Sequence, residues 1–272
     1  MRSVNRPYIG ITGITQKAES IALAQAFLAG PQQRRDLMLG YLVSEKTLNR
    51  MPNAYPYKYP LIDSIERLVV DRPHVLNIVH YSTDHPETLN EQLWRITCLV
   101  GSKLHGFQLN IAWPDPAELA IYRRRIEHID ANHRLILQLN RATLDDVDGN
   151  VNRLVHRLAL YVGLIDDVLF DLSMGEGRDL SIFRAACFFR KISAAYSELG
   201  LVVAGGLSPK TASRVIPLYR EFPNLGVDAE SRLRAADGTL NLQTAIEYLY
   251  HCQALVGAAD VINTITKATT TH

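Results

Sequence analysis

The sequence contains no apolar run that approaches the ~20 residues needed to cross a bilayer, and its first residues hold no stretch long enough for a signal peptide. Cysteine is scarce: Cys98, Cys187 and Cys252 form an odd and widely spaced set, which does not suit a disulfide framework. Free thiols buried in a reducing compartment explain them best. These absences predict a soluble, cytoplasmic protein with no membrane partner.

An excess of charge of either sign is also missing. The chain has 29 basic and 28 acidic residues, a formal net charge of +1, so no global field favours nucleic acid or an anionic membrane. No linker rich in proline, glycine or serine divides the 272 residues, 47% of which are hydrophobic. We therefore expect a single domain over 1–272 and no nucleic-acid partner, with a homodimer as the commonest assembly if one forms.

Short β-branched apolar runs alternate with longer segments that have apolar residues every three or four positions, which indicates strands alternating with helices. The predicted strands are 8–14, 37–43, 75–81, 106–111, 134–139, 167–171, 201–204 and 225–228. Repeated strand-helix alternation requires a parallel sheet, and eight repeats in this length predict a closed (β/α)8 TIM barrel. An open doubly wound sheet is the alternative, although no GxGxxG follows its first strand.

Two segments stand apart from this alternation. The long loop at 44–60 carries three prolines and three tyrosines, and in a barrel it lies on the face that holds the active site. It is either a functional loop or a proline-stiffened segment that packs its tyrosines on the barrel rim. The tail at 264–272 is polar and is expected to be frayed.

Barrel enzymes gather their chemistry at the C-terminal ends of the strands, so polar residues there are the first candidates for a site. These residues are Thr12 and Thr15, Ser44 to Lys46, His80 and Tyr81, Gln108 and Asn110, Gln138 and Asn140, Asp171, Gly205 and Gly206, and Asp228 with Glu230.

The sequence lacks the residues that several kinds of catalysis require. No nucleophile elbow accompanies a Ser-His-Asp order, and no lysine ends an apolar strand where it could form a Schiff base. His80, followed by Asp84 and His85, suggests a metal ligand, but the other strand ends supply amides rather than the remaining ligands that zinc needs. We predict no metal and no cofactor, and we take His80 as the best candidate for a general base.

Asp171 closes the apolar run Val168-Leu169-Phe170, where partial desolvation suits a carboxyl group to acid catalysis. The turn 175–178 follows and would bring the cation of Arg178 near the mouth. Asp171 is therefore the predicted catalytic acid and Arg178 a predicted substrate contact. The alternative is that Asp171 caps a loop or pairs with Arg178.

Gly205 and Gly206 follow the seventh strand and precede a helix predicted over 210–222, with Ser208 as its N-cap and Pro209 in its first turn. Glycines let a phosphate approach backbone N–H groups, and a helix N-terminus adds partial positive charge. Barrels commonly bind phosphate at this position. We predict that Gly205 and Gly206 bind a phosphate, although glycine here can also serve only to tighten the turn.

Short motifs resemble those of phosphoribosylanthranilate isomerases, a family of (β/α)8 barrels, in the right order across nearly the whole chain. They are ITGIT at 11–15, SEK at 44–46, QL at 108–109, VLFD at 168–171 with GEGR at 175–178, AGGL at 204–207 and GVD at 226–228. The resemblance implies that Asp171 protonates a sugar ring oxygen, and that Lys46, Gln108 and Asn110 lie where the family contacts its substrate.

The sequence departs from the family at several of these positions. Thr12 occupies the place of the catalytic cysteine on strand one, and a threonine hydroxyl is far too weakly basic at neutral pH to replace a thiolate. Asn110 replaces a histidine. After strand eight, Arg232 replaces a glycine, where it would crowd a backbone phosphate site or bind the phosphate itself in bidentate fashion. Glu230 would repel an anion.

Three hypotheses follow. The first is a phosphosugar-binding enzyme, isomerase-like, with an altered general base and a small phosphorylated metabolite as its partner. The second is a lyase or synthase that acts on another phosphorylated metabolite, since fold does not fix reaction. The third is a catalytically inactive binding or regulatory barrel, which the exchange at Thr12 and the bulk of Arg232 would suit.

Overall fold

Eight parallel strands close into a barrel in sequence order in the computed structural model, which describes residues 6–31, 34–171 and 182–270, with side chains up to 257. The strands are β1 Tyr8–Thr12, β2 Asp36–Ser44, β3 Val75–Ser82, β4 Gly106–Leu109, β5 Arg134–Leu139, β6 Asp167–Asp171, β7 Gly200–Ala204 and β8 Gly226–Ala229. Pairing of β1 with both β2 and β8 closes the sheet. The molecule is a single-domain (β/α)8 TIM barrel, as predicted, and the open-sheet alternative is wrong.

Helices cover the outside of the barrel. They are α1 Lys17–Ala29, α2 Glu45–Leu48, α3 Ile65–Leu68, α4 Leu89–Val100, α5 Pro116–Glu127, α6 Arg141–Asp145, α7 Val151–Leu158, α8 Ile182–Ala195, α9 Ile216–Glu221 and α10 Leu242–Thr270. The backbone of α10 is helical through most of the segment 264–272, and the fraying predicted there stays a prediction. Within the described residues, no helix combines the length and apolar character needed to span a membrane.

The single helix predicted over 210–222 is wrong. A 3-10 helix at Ala212–Val215 is followed by α9, and the residue at the N-cap of the 3-10 helix is Thr211 rather than Ser208. The hydroxyl of Ser208 instead lies 3.0 Å from that of Thr211. Pro217 explains the break, because proline has no N–H to donate and fits only the first turn of a helix, where it stands in α9.

Apolar side chains fill two separate layers. One lies between the strands and the helices, and the other fills the barrel interior. The interior layer consists of Tyr8, Met38, Ile78, Ile136, Leu169, Val202 and Ala204. Because side chains alternate between the two faces of a strand, the inward residues two positions further along each strand lie above this layer, toward the C-terminal ends. Those positions hold mostly polar residues, and they form the floor of the candidate site.

A buried ion pair closes the opposite end of the barrel interior. The guanidinium of Arg134 donates to the carboxylate of Asp167 at 2.5 and 2.6 Å and to the carbonyl of Arg6 at 2.8 Å. It also lies 5.0 Å from the centre of the Tyr8 ring. A side chain at Gly200 would overlap the Asp167 carboxylate, so glycine at this position leaves the carboxylate its place.

We expect Arg134→Met to lower the free energy of unfolding by about 3 to 5 kcal/mol, because it leaves the Asp167 charge buried without a partner. The double variant R134M/D167L removes both charges and should regain most of that loss. Urea denaturation measures both. Arg190→Met breaks an exposed pair with Glu221 and should cost far less. A single R134M variant as stable as the native chain would contradict this role for the pair.

Candidate active site

A cavity of about 40 Å³ opens at the C-terminal ends of the strands. Its lining residues are His80, Gln108, Gln138, Asp171, Ala204, Gly205, Gly206, Leu207, Asp228, Ala229, Glu230 and Ser231. Most of the strand-end residues that the sequence singles out on β3 to β8 therefore meet in one place.

A larger cavity of about 850 Å³ lies at the other end of the barrel, where Arg134, Asp167 and Gly200 begin their strands. The charged groups of Arg134 and Asp167 bind each other there, and those of Arg190 and Glu221 do the same. Barrel enzymes carry their chemistry at the C-terminal end. We therefore take the smaller cavity as the candidate active site.

Two inward-facing glycines make room for the carboxyl group at its centre. A Cβ on Gly10 would meet Oδ1 of Asp228 at 2.6 Å, and a Cβ on Gly40 would overlap the hydroxyl of Thr12. The space so left lets Thr12 Oγ1 donate to Asp228 Oδ1 at 3.0 Å and approach Oδ2 at 3.2 Å. The hydroxyl of Thr12 thus binds a carboxyl group directly.

Burial raises the pKa of Asp228 from its usual 3.8 to about 7. Hydrogen bonds from Thr12 and Gln108 lower the pKa, whereas the nearby charges of Glu230 and Asp171 raise it. A carboxyl group with such a pKa exchanges its proton close to neutral pH, which is the property required of a general acid or base.

Asp171 connects to Asp228 through two glutamine side chains. Gln138 Nε2 donates to Asp171 Oδ2 at 3.2 Å, and Gln108 Nε2 donates to Gln138 Oε1 at 3.2 Å. The side chain of Gln108 also lowers the pKa of Asp228. Gln108, Gln138 and Asp171 thus form a run of hydrogen bonds across the cavity floor.

His80 lines the same cavity, with Nδ1 buried and without a hydrogen-bond partner among the described residues. Burial lowers the pKa of His80, and the charges of Glu230 and Asp171 offset part of that effect. The imidazole is therefore neutral at neutral pH, the form that can accept a proton. His80 as the general base stays a prediction.

The turn after β7 has an open backbone. Gly205 and Gly206 have φ angles of 105° and 66°, which glycine adopts without the strain that a side chain brings. Among the described residues, no backbone carbonyl accepts a hydrogen bond from the amides of Gly206 or Leu207. These amides at the cavity rim are donors that an anion could use.

Residues after β8 bind the long loop after β2. Arg234 donates to Glu230 Oε1 at 2.9 Å and to the Gly238 carbonyl at 2.8 Å. From the loop, Lys58 Nζ lies 3.9 Å from Glu230, and the ring of Tyr57 packs so closely on Gly238 that a side chain there would overlap it. The loop at 44–60 therefore packs part of its aromatic run on the barrel rim, beside Glu230.

Four predicted site residues lie away from the cavity or outside the described residues. Lys46 is exposed on α2, and Arg232 is exposed in the turn after β8; neither lines the cavity. Asn110 accepts from the side chain of Asn140 at 2.9 Å beside it. Arg178 lies outside the described residues. Their roles stay predictions.

A search of the described residues finds no group of three or more His, Cys, Asp or Glu side chains arranged to hold a metal ion.

Comparison with known proteins agrees with the barrel. The sequence matches no family profile and no curated protein. Among solved structures, active domain 2 of a chitinase from Pyrococcus furiosus has a TM-score of 0.55 and 12% identity, over 94% of this chain and 97% of that one. A family 18 chitinase from Crocus vernus has a TM-score of 0.52 and 11% identity, over 93% and 99%.

The carboxyl transferase domain of Rhizobium etli pyruvate carboxylase is also similar, with a TM-score of 0.54 and 8% identity over 94% of this chain and 48% of that one. At such identities the likeness shows the fold alone. It supports a TIM barrel and does not single out the isomerase family whose motifs the sequence resembles.

Sequence reasoning placed Asp228, Gln138 and Glu230 at strand ends but did not select them as site residues. Inward orientation was the missing criterion. Gly10, Thr12, Gln108, Gln138 and Asp228 occupy the alternate positions of their strands that face the barrel axis, and a strict period of two would have selected them.

We expect Asp228→Asn to make the protein more stable above pH 7 and to show no such gain at pH 4. A carboxyl group whose pKa rises on folding stabilises the folded state below its unfolded pKa, and that stabilisation is lost as pH rises through about 7. At pH 8 the variant should gain about 2 to 4 kcal/mol over the native chain.

Urea denaturation of both proteins at pH 4, 6 and 8 measures the difference. Asp145→Asn, at an exposed carboxyl group on α6, is the matched control and should show no such pH-dependent gap. A difference between native and D228N that stays constant with pH would show that Asp228 has an ordinary pKa.

Proposed function

We propose that this chain is an enzyme that transfers a proton to or from a small phosphorylated metabolite, of the phosphosugar type, in the cavity at the C-terminal ends of the strands. The observation that carries the proposal is the buried Asp228 carboxyl group, 3.0 Å from the hydroxyl of Thr12. The motif resemblance and the TIM-barrel fold favour an isomerase-like reaction.

Asp228 is the proton-exchanging group in this proposal. In the resembled family a cysteine on strand one removes a proton from the substrate, and Thr12 cannot do so. Thr12 instead donates to Asp228, which places a carboxyl group of suitable pKa beside the position that the cysteine would occupy. In this proposal Asp228, on the neighbouring strand β8, performs the proton transfer that the thiolate performs in the resembled family.

Asp171 keeps its predicted part as the second catalytic carboxyl group; it lies on β6, separated from Asp228 on β8 by Ala204 of β7. Isomerisation needs a base to take a proton from carbon and an acid to give one to oxygen, with no net change in the substrate's composition. Asp228 and Asp171 provide such a pair, and His80 is a further base on the same surface.

The phosphate half of the proposed substrate would lie at Gly205 and Gly206, with Arg232 as a further contact. The amides of Gly206 and Leu207 have no described backbone acceptor, so they are available to a ligand. This half of the proposal rests on the backbone conformation after β7 and on the position of that turn in the barrel.

Other functions remain as alternatives. A lyase or synthase would use the same carboxyl groups, and a catalytically inactive binding barrel would need only the cavity. Glycoside hydrolysis, which the names of two structural neighbours suggest, is a further alternative.

The test is turnover of a panel of pentose and hexose phosphates and of phosphoribosylanthranilate by the native chain, D228N and D171N. We expect each variant to lose at least about a hundredfold in kcat, because proton transfer by a positioned group contributes that much or more. Binding of inorganic phosphate, measured by calorimetry, should survive in both. A product of unchanged mass indicates an isomerase, and a changed mass indicates a lyase or synthase.

Asp145→Asn is again the matched control and should keep full turnover. Native turnover in D228N would remove Asp228 from the mechanism. Tight binding of a panel member without any turnover by the native chain would favour the inactive barrel.

A further inference from the structure

A buried arginine connects the turn after β8 to the end of β1. The side chain of Arg234 is 5% exposed, and its Nη2 donates to Glu230 Oε1 at 2.9 Å in an ion pair. Its Nη1 donates to the Gly238 carbonyl at 2.8 Å. The Nε atom is buried and has no hydrogen-bond partner among the described residues. A buried guanidinium with an unsatisfied N–H costs stability, so a role beyond the stability of the turn explains it better.

The same guanidinium packs against Gly13. A Cβ on Gly13 would overlap Nη2 of Arg234, and the φ angle of 104° at this position also favours glycine. Gly13 directly follows Thr12, whose hydroxyl donates to Asp228 at 3.0 Å. Arg234 therefore contacts β1 beside one of the partners of Asp228.

Glu230 is the second link between Arg234 and Asp228. It follows Asp228 by two residues, both residues line the cavity, and the charge of Glu230 raises the pKa of Asp228. Lys58 of the long loop also approaches Glu230, but at 3.9 Å and with 29% of its side chain exposed. An exposed ion pair contributes little, so the buried Arg234 is the stronger partner of Glu230.

We propose that Arg234 is a positioning residue for the proton-transfer site, which holds the Glu230 carboxylate in place beside Asp228 and joins the turn after β8 to the end of β1. This inference rests on the proposed function, in which Asp228 exchanges the proton. Loss of the arginine leaves the Glu230 charge without its main partner. An uncompensated like charge favours the protonated form of a neighbouring carboxyl group.

Several other groups act on these two carboxyl groups, and the variants below leave them unchanged. Lys58 and Tyr59 approach Glu230 from the loop after β2, Asp171 raises the pKa of Asp228, Thr12 and Gln108 lower it, and His80, Tyr8 and Tyr248 lie within range of the charges of Glu230 or Asp228. A change in the pKa of Asp228 on substitution of Arg234 therefore reports on the pair of Arg234 and Glu230.

NMR titration of the Asp228 carboxyl carbon measures the effect without any substrate. We expect Arg234→Met to raise the pKa of Asp228 by about half a pH unit or more, because the Glu230 charge loses its compensation. Glu230→Gln should lower that pKa. In the double variant R234M/E230Q the arginine change should have much less effect, since the charge through which it acts is gone. Arg234→Lys keeps a cation and should restore the native pKa.

Arg123→Met is the matched control. Arg123 is also buried, with 4% of its side chain exposed, and pairs with Asp166 away from the cavity. Its loss should lower the unfolding temperature and leave the pKa of Asp228 unchanged. Thermal unfolding checks that each variant folds. If Arg234→Met does not fold, Arg234→Gln, which removes the charge but keeps an amide donor, gives the same measurement.

A merely structural role for Arg234 predicts a different result. Both Arg234→Met and Arg234→Lys would then lower the unfolding temperature, because lysine does not replace the fork of donors, and the pKa of Asp228 would keep its native value. That result would overturn the inference. An effect of Arg234→Met on this pKa that is equal with and without the Glu230 carboxylate would also overturn it.

The titration separates this inference from the proposed function. If the pKa of Asp228 responds as expected but the chain turns over no member of the phosphosugar panel, the effect of Arg234 on Asp228 stands and the proposed function fails. If Asp228→Asn abolishes turnover while Arg234→Met changes neither the pKa of Asp228 nor the pH dependence of kcat, the proposed function stands and this inference fails. Where both hold, the pH midpoint of kcat in Arg234→Met moves upward with the pKa.

Discussion

Closure of the barrel between β1 and β8 is the constraint on which the site depends. It brings Thr12 and Asp228, 216 positions apart in the chain, within 3.0 Å of each other. The apolar layer of Tyr8, Met38 and their neighbours lies beneath them, so the carboxyl group has little solvent on that side. Its raised pKa is therefore a consequence of the closed architecture and not of any local motif.

The two ends of the barrel interior differ in their charged groups. Arg134 and Asp167 compensate each other at the N-terminal end, whereas the C-terminal end places carboxyl groups together without a described cation in the cavity lining. Paired charges are a structural solution, because each satisfies the other. Buried polar atoms such as Gln108 Oε1 and His80 Nδ1, which have no hydrogen-bond partner among the described residues, are costly for the fold, and such local conflict is expected at a functional site rather than in a core.

The fold could be predicted from the sequence more completely than the contacts within the site could. The eight strands and the barrel follow from alternation of short and long apolar periods, since that pattern is local. The positions of Asp171 and of Gly205 and Gly206 at the cavity also follow, because strand ends converge in any barrel. The hydrogen bonds from Thr12 to Asp228 and from Gln108 to Gln138 depend on register between strands, which no short motif specifies. The apolar spacing that predicted one helix over 210–222 takes no account of Pro217, which stands in the first turn of α9.

The resemblance to phosphoribosylanthranilate isomerases gains a physical explanation at its weakest point. Where the resembled family has a thiol on strand one, this chain has Thr12, whose hydroxyl donates to the Asp228 carboxyl group on β8. A hydroxyl hydrogen bond stabilises the ionised form of that carboxyl group and so keeps its pKa near 7 rather than higher. In the proposed mechanism Thr12 acts through Asp228, and the proton-transfer group lies one strand away from its place in the resembled family. Glu230 contributes in the opposite direction by raising the same pKa. The contact of Glu230 with Lys58 therefore makes the position of the long loop a factor in the acidity of the site.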